Sequence, residues 1–175
     1  MDRDQFKTEP HRTEIRERRQ AAAQKYRPDA VRLLLVAEAP PKDDRYFYFE
    51  DVTAHDWLFR EVSESLLGRK FAPSEKAEGL AKLRGLGVFL IDLKLDPVDG
   101  SPLQEYVPDL VRRCRDLNAE RIILIKATVF DAAYGALKSA GLPVVNRRIP
   151  FPSTGQQRRF RERFAEALGS DLNNK

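Results

Sequence analysis

The chain has 175 residues, is 42% hydrophobic and 33% charged, and carries 31 basic against 27 acidic residues for a net charge of +4. That length makes a single domain, 1–175, the expectation and is enough to bury a core without disulfides; the composition is too apolar for a disordered chain. One cysteine excludes a disulfide framework, and two distant histidines, His11 and His55, offer no ligand spacing, so no metal, cluster or other cofactor is expected.

The first residues (MDRDQFKTEPHR) are charged and lack an apolar signal core. The longest apolar runs are about five residues, against the roughly 20 that span a membrane. A soluble cytoplasmic protein with no membrane contact, monomeric by default, is expected. Residues 11–25 read as a charged surface helix ahead of a core over about 31–168. Arg32–Ala37 (RLLLVA) reads as the first buried strand. Residues 54–67 align Leu58, Val62 and Leu66 as a helix stripe with Thr53 as N-cap, and Ser74 is placed to cap a helix bearing Leu80 and Leu83. Val88–Leu93 is the second strand, residues 107–117 the next helix with Pro108 in its first turn, and Arg121–Ile125 the third strand. Residues 129–140 form a further helix, Pro143–Ile149 a fourth strand, and residues 156–168 a helix stacking Phe160, Phe164 and Leu168. The first three strands are apolar almost throughout, as in a parallel sheet covered on both faces. Strand–helix alternation with right-handed crossovers predicts a three-layer α/β/α sandwich on a four-stranded, mainly parallel sheet.

In such folds ligands bind beyond the carboxyl ends of the strands. After the first strand come Glu38-Ala39-Pro40-Pro41-Lys42-Asp43-Asp44 and then four consecutive aromatics, Tyr46 to Phe49. The aromatic run suits a platform on which a flat base stacks; it equally suits a plug beneath the sheet. Glu38, Asp43 and Asp44 are each placed to orient a water, or to serve as loop charges. Asp92 ends the second strand inside an apolar run, where a carboxylate needs a partner; Lys94 is the nearest candidate. The fourth strand leads to Phe151-Pro152-Ser153-Thr154-Gly155 and an Arg-rich helix. Ser153 and Thr154 at a helix start, with Arg158 and Arg159 one turn inside, describe an anion site or a simple N-cap.

Charge is clustered. Residues 147–163 hold six arginines and one glutamate, and residues 12–27 hold six basic residues and two glutamates. Two such clusters favour a polyanionic partner over solvated helix faces.

The order strand, Ala37-Glu38-Ala39-Pro40-Pro41, aromatic run, then strand, Phe151-Pro152-Ser153 and an Arg-bearing helix resembles the uracil-DNA glycosylase superfamily. It is most similar to the small bacterial and archaeal branches whose motifs read GEAPG or GEGPG and HPS or HPA. The resemblance covers about residues 31–168. It implies that Phe47 or Phe49 stacks an extruded base and Asp92 reads its edge. Glu38, Asp43 or Asp44 would orient water or offset the oxocarbenium charge. Ser153 and Thr154, backed by Arg158 and Arg159, would hold a flanking phosphate. The departures are specific. Phe151 replaces the histidine that steadies the departing base, Asp92 replaces the base-reading asparagine, Lys126 stands where the family has glycine, and the cysteines of the iron–sulfur branch are absent. The implied partner is DNA. The implied activity is hydrolysis of an N-glycosidic bond to a base other than uracil, or to uracil weakly. The alternatives are a nucleic-acid-binding module of the same fold without the chemistry, and a nucleotide or phosphate binder.

Overall fold

A computed structural model describes residues 9–43, 45–51 and 56–169. Helix α1 (Glu9–Lys25) is followed by strand β1 (Leu33–Ala37), then α2 (Trp57–Leu67), α3 (Lys76–Gly85), β2 (Val88–Asp92), α4 (Val107–Leu117), β3 (Arg121–Leu124), α5 (Ala127–Ser139) and α6 (Gln157–Leu168). The fold is α/β with a parallel sheet of three strands in the order β2-β1-β3. β1 is central, and all five of its residues are buried, which is why it reads as an unbroken apolar run. No described helix is long and apolar enough to cross a membrane.

The predicted fourth strand is a correction. Pro143–Ile149 lies along β3 but touches it at only two isolated parallel bridges, Ile122 to Val144 and Ile125 to Ile149. Between the bridges one side has two residues and the other four. The two surplus residues break the register, and the Arg147 N–H turns back to Val145 O at 2.9 Å instead of joining a ladder.

Helix starts also differ from expectation. Thr53 lies outside the described residues. Asp56 caps α2 instead, accepting from Phe59 N–H at 3.1 Å. Ser74 sits inside a 3-10 turn, Pro73–Glu75, and makes no cap for α3. Gly79 on α3 is required by close approach: a Cβ there would fall 2.7 Å from the Phe59 ring of α2. The Phe160 and Phe164 rings of α6 are fully buried and stack 5.1 Å apart. Cys114 is buried, and burial pushes its thiol up to about 11, so it acts as core and not as a nucleophile.

As an outer strand, β2 leaves backbone groups without a strand partner. The Tyr48 hydroxyl fills that role at Leu90, donating to its carbonyl at 3.0 Å and accepting from its N–H at 2.7 Å. Arg113 donates to Asp92 O at 2.8 Å. We expect Tyr48→Phe to lower stability by about 1–3 kcal/mol, the cost of leaving buried polar groups unpaired. A lower urea midpoint at unchanged m-value is the check; an unchanged midpoint would mean that water replaces the hydroxyl.

Candidate functional site

β1 leads the chain to β2 on one side of the sheet, whereas β3 leads it to the Pro143–Ile149 segment on the other. The loops leaving β1 and β3 therefore diverge and open a crevice between their carboxyl ends, where α/β sheets place ligands. Glu38 leaves β1 and Lys126 leaves β3, and across this crevice Lys126 Nζ donates to Glu38 Oε1 at 2.8 Å. The Thr128 hydroxyl donates to the other carboxylate oxygen. Burial alone would raise the Glu38 carboxyl, but the bonds from Lys126 and Thr128 outweigh it and hold the group below its ordinary value. Glu38 is a fixed anion.

Around this pair lies a cleft of about 380 Å³, within the size range of small-ligand sites. Its walls include Glu38, Tyr46, Phe47, Trp57, Asp92, Lys126 and Phe151, with Ala37, Leu90, Pro40 and Pro41 as apolar lining. Glu38, Phe47 and Asp92, expected from sequence to act together, are thus gathered at one rim. No protein-family model matches the chain, and no curated protein and no solved structure matches it. The chemistry of the cleft has to come from its own atoms.

Asp92 ends β2 on a wall shared with a second cleft between α1, β2 and α4. Desolvation raises its carboxyl from 3.8 to about 7, and the Arg113 and Arg19 charges only partly counter this. Lys94 is not its partner. The Lys94 ammonium turns to Asp99 and to Ser101 Oγ at 2.8 Å. Of the three described carboxyls that line the cleft, Glu38, Asp56 and Asp92, Glu38 is pushed below its ordinary value and Asp92 above it, the separation that acid–base sites use.

The aromatic run divides by position. Tyr46 and Phe47 reach the cleft wall. Tyr48 is pinned to β2, and Phe49 is buried beneath the Arg18 guanidinium, 4.6 Å from its ring centroid. Phe49 is thus a core residue outside the cleft lining. Asp43 is likewise elsewhere: it is exposed and held by Arg45 at 2.6 and 2.8 Å. Asp44 lies outside the described residues.

The expected phosphate site is also separate. Ser153, Thr154, Arg158 and Arg159 are exposed and lie outside the cleft lining, although Phe151, two residues before Ser153, borders it. Gln156, not Ser153 or Thr154, takes the cap position of α6. The turn consumes its own amides, with Ser153 N–H on Phe151 O at 2.9 Å and Gly155 N–H on Gln157 Oε1 at 3.1 Å. The basic cluster is largely neutralised by Arg147–Glu166, Arg148–Asp131, Arg158–Glu162, Arg161–Glu61 and Arg163–Glu166 pairs. Among the described residues Arg159 is the member of that cluster without an ion pair. No group of three or more described acidic, histidine or cysteine residues is placed to hold a metal ion.

Sequence reasoning missed Trp57, Thr128 and the role of Lys126. The clue to Lys126 was its place: it carries φ +83°, the left-handed region, at a position where the resemblance implies glycine. Such a conformation costs an ordinary side chain about 1–3 kcal/mol. We expect Lys126→Gly to be more stable than Lys126→Ala by about 1 kcal/mol or more, since both lose the ion pair and only alanine keeps the strain. Equal unfolding free energies for the two would remove the backbone argument.

Proposed function

We propose that this chain is a DNA-interacting protein of the glycosylase kind, which takes an extruded base into the cleft and hydrolyses its N-glycosidic bond. The observation that supports this most directly is that Glu38, Phe47 and Asp92 line one cleft beyond the carboxyl ends of the strands. Tyr46, Phe47 and Trp57 offer apolar faces for a flat ring. A protonated Asp92 presents one donor and one acceptor, the pattern of the amide that the resemblance implies, whereas its anion can only accept. The fixed Glu38 anion stands ready to align water and to oppose positive charge developing on the sugar. Phe151 gives contact but no hydrogen bond to a departing base, which favours bases that leave more readily than uracil.

The helices fall into two packed groups, α2 with α3 and α6, and α4 with α5, which supports a three-layer form of the fold. The exposed Arg159 is the freest cation for a phosphate. Apart from Arg161, which holds the buried Glu61, the neighbouring ion pairs are surface pairs, worth little individually, and can exchange an internal carboxylate for a strand phosphate.

A second reading, a binding module without chemistry, is favoured by one observation: both Glu38 oxygens already have protein partners. Duplex and single-stranded oligonucleotides bearing uracil, hypoxanthine, xanthine or alkylated bases separate the two. The expected result is a free base and an abasic strand, with Glu38→Gln slowing release by about 100-fold or more. Salt-dependent DNA binding with no abasic product at protein excess selects the module. A log K against log salt slope near zero rejects DNA contact altogether, and tight nucleotide binding in its place would select the nucleotide binder.

A further inference from the structure

Lys126 has a feature that holding Glu38 does not require. Its side chain is 40% exposed and borders the cleft, so it is open to a ligand there. Its backbone is held at φ +83°, so a lysine stands at the cleft mouth in a conformation that glycine would adopt with less strain. Its nitrogen lies 2.8 Å from a carboxylate that is kept ionised. An amine beside a proton acceptor, in a cleft open to a ligand, is the arrangement for attack on a carbonyl carbon.

We propose that Lys126 is a nucleophile that forms an imine with the ring-opened aldehyde of an abasic deoxyribose, giving the protein a strand-cleaving lyase activity. The inference rests on the DNA reading above and names a further substrate class for the same cleft, an abasic strand.

Glu38 faces the step as an anion and solvent carries the protons. The Lys126 ammonium gives one proton to water, and the neutral amine attacks C1′ to form an N–C bond. The carbonyl electrons move to oxygen, which takes a second proton from the attached nitrogen. A solvent proton passes to that hydroxyl, which leaves as water, so a protonated imine faces the Glu38 carboxylate. The carboxylate relays the C2′ proton to water, the C3′–O bond breaks with its electrons on the phosphate, and a conjugated protonated imine remains. Water hydrolyses it and restores the Lys126 ammonium and the Glu38 carboxylate. No oxidant, reductant or metal enters the balance.

The test uses an oligonucleotide with a preformed abasic site, so that it does not depend on base release. Borohydride in the mixture reduces any imine to a stable secondary amine. The expected result is a covalent protein–DNA adduct whose modified peptide carries the mass on Lys126. Lys126→Arg, which keeps the charge and the backbone substituent but cannot form this imine, should lose the adduct while keeping its thermal unfolding midpoint. No adduct with the full chain overturns the inference, whatever is seen of base release. An adduct that persists in Lys126→Arg, or that maps to the other cleft lysine, Lys42, also overturns it. An adduct on Lys126 with no base release from any substrate upholds the inference and rejects the hydrolase.

Discussion

Lys76→Ala is expected to lower stability by about 3–5 kcal/mol, the cost of removing one partner from a buried ion pair. Lys76 is only 1% exposed. Its ammonium donates to Asp56 Oδ2 at 3.0 Å and to Tyr46 O at 3.1 Å, and lies 5.3 Å from the centre of the Phe59 ring. Burial pulls the ammonium below its ordinary value, and Asp56 pushes back. Alanine would leave a cavity, a carbonyl without its donor and a nearly enclosed carboxylate without its cation.

The loss would reach the cleft, because Asp56 and Tyr46 both line it and Asp56 also caps α2. Lys76 fixes that wall from behind. Lys76→Met fills the space but strands the Asp56 charge, so an intermediate loss is expected. Pairing Lys76→Met with Asp56→Asn removes the charge and should recover most of the stability. Denaturant unfolding of the four proteins measures this. A single-variant loss below about 1 kcal/mol would show that water or a neighbouring group replaces the ammonium at Asp56.

The same pair marks the boundary of what the sequence discloses. Strands β1, β2 and β3 are legible because each is a short apolar run with period-free burial, and α4 and α6 because their stripes are strict. Both are local properties. The fourth strand has the same apolar look, yet its pairing depends on matching residue counts with β3 across two bridges, and no local pattern records a surplus of two. The Lys76–Asp56 contact spans 20 residues and has no signature in either neighbourhood.

Charge is only partly legible for the same reason. Counting along residues 147–163 finds arginines and one acid, but Asp131, Glu61 and Glu166 arrive from elsewhere in the chain. Lys94 stands next but one to Asp92, yet the chain turns after β2 and delivers it to Asp99. The cleft itself was more legible than its chemistry. Strand ends predict where loops converge, so Glu38, Phe47 and Asp92 could be expected together. Which ring of an aromatic run faces that cleft depends on the turn at Phe47–Tyr48, and there only the structure decides.

Asp92 carries the largest expected pH effect. Its carboxyl titrates near 7 in the folded protein against 3.8 ordinarily. Between those values the folded state binds a proton that the unfolded state has released, so stability falls as pH rises. The contribution is intact below about 4, declines across the interval and is lost above about 7; its ceiling is about 4 kcal/mol. Other carboxyls, Glu38 and Asp43 among them, are shifted the opposite way and lose their contribution as pH falls, so the total curve mixes both signs.

Comparison with Asp92→Asn isolates the one residue. Asparagine should leave stability near that of the parent at pH 4 and raise it by about 2–4 kcal/mol at pH 8, where the parent buries a charge. Equal unfolding free energies of the two proteins at pH 8 would show that Arg113 and Arg19 fully compensate the carboxylate. The functional arm runs in parallel. The protonated acid can donate and accept at a base edge, and the anion can only accept, so the parent's affinity for an oligonucleotide bearing a lactam-edged base should weaken as pH passes 7. Asparagine presents donor and acceptor at every pH and should flatten that dependence. If both proteins show the same decline, the proton that controls binding sits on another group, and Asp92 does not read the base.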